Sequence, residues 1–145
     1  MSAREDVAKN IVEQLENMTV PAPGLVSRVF FDVQKLAITQ FPAILVVTNN
    51  ETRTDVSMTA REGIIQYELR CYVRGTEVDT LRNEIIERIE ETLELSRDRD
   101  ITINTANIHN VKTQISNIDV IERELPLGEA VVTVDVKYQY KKGVL

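Results

Sequence analysis

With a single cysteine, a single histidine and only five glycines, this 145-residue chain lacks the means for several kinds of chemistry. Cys71 alone can form no intrachain disulfide, so neither a disulfide framework nor an oxidising compartment is implied. Cys71 and His109 together fall short of a usual zinc ligand set, and no metal is expected. The glycines at 24, 63, 75, 128 and 143 never fall in Gly-x-Gly-x-x-Gly or P-loop spacing, which removes the ordinary phosphate cradle; no cofactor is expected. There is no Gly-x-Ser-x-Gly elbow to supply a hydrolase nucleophile, so His109 reads as a strand histidine and Cys71 as a small buried hydrophobe. No catalytic residue is assigned, and the expectation is that the chain is not an enzyme.

Long apolar runs are also missing. The longest, Ala43–Val47, is five residues, against the ~20 that a helix needs to cross a bilayer. The charged start Met1–Asp6 is not followed by an apolar signal core, so the chain is expected to stay where it is made, in a cytoplasm, without a membrane partner. A net charge of −6 opposes nonspecific binding to duplex DNA. The aromatic residues do not interleave with a basic run, as a single-strand platform would require.

What is present describes one α+β domain over residues 1–145, a length that lets a chain bury roughly 68–70% of its unfolded surface. Ser2 and Glu5 match a capping box, and Ala8, Ile11, Val12 and Leu15 then recur at helical spacing. Pro21, Pro23 and Gly24 end that helix. Leu25–Phe31 is rich in β-formers and predicts a first strand, and Phe41–Thr48 a second, buried on both faces. Ile64–Arg74 alternates strictly: Ile65, Tyr67, Leu69, Cys71 and Val73 on a buried face, Gln66, Glu68, Arg70, Tyr72 and Arg74 on a wet one.

Thr76 and Asp79 give a second capping signature, and Leu81, Ile85, Ile89 and Leu93 place a second helix through about Ser96. Its remaining positions, Arg82, Glu84, Glu87, Arg88, Glu90, Glu91 and Glu94, read as a strongly acidic, solvated outer face, and the carboxylates among them as solvating rather than a catalytic pair. Arg97–Asp100 reads as a turn, Ile108–Ser116 as a fourth strand, Leu125–Gly128 as a turn and Glu129–Tyr140 as a long last strand. The order is αβββαββ: a mostly antiparallel sheet with two main helices packed on one face. Between the second and third strands, Asn49–Glu62 is polar and is either a long loop or a projecting hairpin arm. Its Glu51, Arg53, Asp55, Arg61 and Glu62 are the candidate oligomer or partner interface, with Arg53 and Arg61 as partners for acids on neighbours.

An N-terminal helix, the Phe41-Pro-Ala-Ile44 strand, a long strand ending Cys71-Tyr-Val-Arg-Gly75, an amphipathic helix and a Pro126-Leu-Gly128 turn into Ala130–Tyr138 occur together in this order. From Asn10 to Tyr140 the chain resembles the tail terminator, or tail completion, proteins of tailed bacteriophages and related contractile injection systems. The resemblance implies a virion protein of the tail's neck end. It would form a homo-hexameric ring that caps the tail tube protein, ends tube polymerisation and meets a head–tail connector or neck protein. A sheath protein is a further partner that it allows, and DNA would pass only in transit through the lumen. Two other readings stand beside it: a neck or head-completion connector, and a cytoplasmic small-ligand-binding domain or enzyme, for which no convergent polar constellation is visible.

Overall fold

The computed structural model describes residues 3–19, 21–55, 60–95, 98–103 and 106–141. Helix α1 spans Ala3–Glu16, and strand β1 spans Leu25–Ser27. Two short 3-10 turns, Val33–Lys35 and Ile38–Gln40, follow. Then come β2 (Ala43–Asp55), β3 (Ala60–Arg74), helix α2 (Val78–Leu95), β4 (Asp98–Ile103), β5 (Ala106–Ile121) and β6 (Leu127–Lys141). The strands form one six-stranded sheet in the order β1-β2-β3-β6-β5-β4, in which only the β1–β2 pair is parallel. The fold is α+β, mostly antiparallel, with both helices on one face of the sheet, as the alternation of the strands requires.

At the centre, β3 and β6 pair continuously from Ala60↔Lys141 to Arg74↔Leu127. Because paired residues share a face, Ile65, Tyr67, Leu69, Cys71 and Val73 lie beside Ala130, Val132, Val134, Val136 and Tyr138, all buried. The helices cover this layer. α1 contributes Val7, Ala8, Ile11 and Leu15, and α2 contributes Val78, Ile85, Ile86, Ile89 and Leu93. Each fully buried aliphatic side chain here is worth about 1.5–3 kcal/mol relative to an exposed one. The acids Glu84, Glu87, Glu91 and Glu94 face outward on α2, where Arg88 meets Glu91 at 2.8 Å, but Arg82, expected on the same face, is buried and bonded to Asp79.

Several expectations are corrected. Arg97–Asp100 was expected to be a turn, but β4 begins at Asp98, so the order is αβββαβββ. The run Ile101-Thr102-Ile103 has the composition of a strand, and charge ahead of it is common on an edge strand. The first strand is three residues long rather than seven. Ser27 donates its hydroxyl to the Val29 carbonyl at 2.8 Å and accepts from the Val29 amide at 3.0 Å, closing a turn. Arg28 reaches α1, where its Nη1 and Nη2 donate to the Glu5 carboxylate at 2.7 and 2.9 Å. That hydrogen bond holds the Glu5 carboxyl below its ordinary range. Val29 and Phe30 are left exposed. Ser2, the expected cap of α1, lies outside the described residues.

Tyr72, placed on the wet face by its period, is buried instead. The segment between β1 and β2 folds across that end of the sheet and forms a second small core of Val33, Ala43, Leu45 and Tyr72, with Phe31 against the Tyr72 ring edge-on at 5.8 Å. Arg123 lies over the same ring, 5.7 Å from its centroid, and pairs with Glu129 at 2.8 Å. This second core also explains why β2 is buried on both faces from Ala43 to Val46.

The strands next to the outermost pair, β2 and β5, carry irregularities in register: β2 between Thr48 and Asn50, and β5 between His109 and Lys112 and again between Ile115 and Asn117. They are also incompletely covered. In the described pairings β1 meets only Ala43–Leu45 of β2, and β4 meets β5 only as far as Lys112.

Cys71 sits in the main core, and burial pushes its thiol up to about 12, with the charge of Glu129 adding to the shift. Since the thiolate is the reactive form, a thiol reagent at mildly alkaline pH should leave the native protein unlabelled and modify Cys71 only after unfolding in denaturant. Fast labelling of the native protein would contradict this packing.

Candidate assembly surface

Of the two readings of Asn49–Glu62, the hairpin holds and the loop does not, although the hairpin does not project free of the sheet. β2 runs on to Asp55 and β3 begins at Ala60, so the polar residues form the far half of the β2–β3 hairpin. β6 pairs β3 throughout that half, which ties the hairpin into the sheet; Val56–Thr59 lie outside the described residues.

The sheet divides the five expected interface residues between its faces. Glu51 pairs with Ile65, Arg53 with Gly63 and Asp55 with Arg61, which places these four polar side chains on the helix side. Glu62, opposite Thr54, is on the other side, where Lys137 lies 3.4 Å from its carboxylate. Arg61 donates to Asp55 at 2.8 Å; these two are the most exposed members, at 43% and 57%. Arg53 meets the Glu51 carboxylate at 3.2 Å. The ion pairs described for Arg53 and Arg61 are therefore made to carboxylates of their own hairpin.

Glu51 is the least available of the five, with its side chain only 11% exposed. Its carboxylate accepts a short hydrogen bond from the Tyr138 hydroxyl and lies 3.5 Å from Arg4 of α1. It thus joins β2, β6 and α1. Gly63 makes room for this arrangement, since a Cβ there would come within 2.7 Å of the Tyr138 ring. The nearby Tyr67 hydroxyl is buried with no hydrogen-bond partner among the described atoms, and burial raises its pKa. The sequence reading missed the roles of Arg4 and Tyr138. A signal was present, because a tyrosine on an apolar strand face must find a partner for its hydroxyl.

On the side away from the helices, beyond the second core, the sheet is broad and polar. Asn49 donates to Gln66 at 2.6 Å, Gln66 to Asp135 at 3.3 Å, and Arg70 to Glu68 at 3.3 Å. Among the described residues no group of three or more histidine, cysteine or acidic side chains could hold a metal ion. His109 falls within β5, opposite Gln139. No helix is long and apolar enough to cross a membrane.

No family profile matches the sequence, and no curated protein matches it. Among solved structures, a chain of the virion of the native gene transfer agent (GTA) particle has a similar fold, with a TM-score of 0.55 and 8% sequence identity. The alignment covers 89% of this chain and 91% of that one. At this identity the likeness is one of fold, and it extends over nearly the whole of both chains.

The two tyrosines should respond oppositely to loss of the hydroxyl. Tyr138→Phe removes a hydrogen bond to a poorly exposed carboxylate and should cost about 1–3 kcal/mol. Tyr67→Phe removes a buried group without a partner and should be neutral or stabilising. Urea unfolding midpoints at unchanged slope measure both; equal losses would sink this account of the cluster.

Proposed function

We propose that this chain is a structural subunit of a phage-like particle, acting as a tail terminator: a ring that closes the tail tube, halts its growth and offers a surface to the head. What supports it most is the whole-length likeness of fold to a virion chain. The order of sequence signatures leads independently to the same class of particle.

The architecture suits such work. β2 and β5, which the short outermost strands β1 and β4 cover only in part, have stretches whose second edge has no strand in the described pairings, Val46–Thr52 on β2 and Gln114–Ile121 on β5. Open strand edges invite pairing with another chain. The two edges differ, so contact between them is head-to-tail, and head-to-tail contacts close into rings when the rotation permits. On the broad face without helices, Arg70 and Lys137 are each paired with a carboxylate, which limits how tightly a passing DNA backbone would be held. Glu51, Arg53, Asp55, Arg61 and Glu62 remain the proposed contact region at the hairpin end, with the exposed Arg61–Asp55 pair as the part that a neighbour reaches first. The partners are the tail tube protein and a head–tail connector.

Size-exclusion chromatography with light scattering at several concentrations, followed by negative-stain imaging, tests this. The expected result is a six-subunit ring with a central hole, together with arrest of tube elongation when the protein is added to growing tubes. Binding to the connector side with no effect on tube ends would replace the terminator reading with that of a neck connector.

A further inference from the structure

At the end of the molecule opposite the β2–β3 hairpin, β3 stops and β6 begins, and three depressions adjoin. The first is lined by Pro21, Ile38, Phe41, Pro42 and Leu81 together with Arg74 and Glu84. The second shares Arg74 and continues to Leu125 and Leu127; the third shares those leucines and reaches the start of α2. The Gly75 amide donates to the Pro126 carbonyl at 3.0 Å, fixing the two sides to each other. Ile38 on the first depression and Leu125 on the other two stand out from this end, each a large aliphatic side chain 72% exposed.

The charge around the patch has one dominant sign. Glu77, Asp79, Glu84, Glu122 and Glu124 line these depressions and are exposed. Of the cations lining them, only Arg74 is exposed. Arg82 is buried and bonded to Asp79 at 3.3 Å, and Arg123 is held by Glu129.

We infer that this end is a docking surface for a different protein, one whose contact patch combines apolar side chains with lysine or arginine. Exposed aliphatic side chains supply the area such an interface buries, and the carboxylates among them supply its selectivity. A second copy docking the same end by a two-fold axis would set these carboxylates against themselves, and every copy carries a net charge of −6. A basic partner turns that repulsion into attraction and speeds encounter at low salt. The inference stands apart from the ring reading, since it concerns an end of the sheet rather than its edges.

The test uses the full chain, isotope-labelled for NMR, and two amphipathic helical peptides, one of leucine and lysine and one of leucine and glutamate. The leucine–lysine peptide should shift the amides of residues 36–42, 73–84 and 121–127, and its affinity should fall as salt rises. Ile38→Asp combined with Leu125→Asp should weaken it at least about tenfold. Both positions are exposed, so the variant should keep the native pattern of dispersed amides, and each single variant is available should the double one unfold. The inference fails if the peptide shifts only the acidic face Glu87–Glu94 of α2, if the leucine–glutamate peptide binds as well, or if the folded variants bind unchanged. Light scattering that finds a dimer dissolved by Leu125→Asp would also overturn it, by making the occupant a second copy.

Discussion

The uninterrupted pairing of β3 with β6 is the constraint on which the rest of the molecule depends. From Ala60↔Lys141 to Arg74↔Leu127 the two strands stay in one register. A slip of one residue would turn Tyr67, Leu69 and Cys71 to the polar side and bring Glu68 and Arg70 beneath the helices. Both helices pack on the face that this register makes apolar. The second core exists because the same register puts Tyr72 on the opposite face at the end that the β1–β2 connection can cover. Even the hairpin cluster follows from it, since Gly63 and Tyr138 are partners in the ladder and Tyr138 is thereby aimed at Glu51.

Much of this was legible from period alone. The alternation in Ile64–Arg74 and Glu129–Tyr140 and the four-residue spacing of Leu81, Ile85, Ile89 and Leu93 each define one face, and packing fills that face. What escaped was decided by contacts between distant segments. Nothing in Leu25–Phe31 announces that Arg28 will bind Glu5 and pull the chain away from the sheet. Period two places Tyr72 correctly on its strand, but whether that face is wet depends on a segment thirty or so residues earlier in the chain. The polar run after Thr48 lacks the apolar alternation that marks a strand; its extended form is imposed by β3 alongside it, an instance of tertiary context overriding composition.

The candidate assembly residues show the same division. Their charge was visible in the sequence, but their availability was not. Glu51 is engaged by three elements, whereas Asp55 and Arg61 stay accessible near the hairpin turn. Exposed Ile38 and Leu125 were not singled out at all, because isolated aliphatic residues flanked by acids or turns carry no periodic signal. They become a patch only when β3, β6 and the segment before β2 converge.

The irregularities in β2 and β5 bear on the shape that any edge-to-edge assembly could take. Such a bulge bends its strand and increases the local right-handed twist, and here all three fall on the strands flanking the continuous β3–β6 ladder. The sheet therefore has a regular middle and skewed margins. Flat stacking of many copies into a straight ribbon, as in a fibril, needs margins that run true, and these do not. Copies joined along them would turn with each addition, so that growth describes an arc rather than a line.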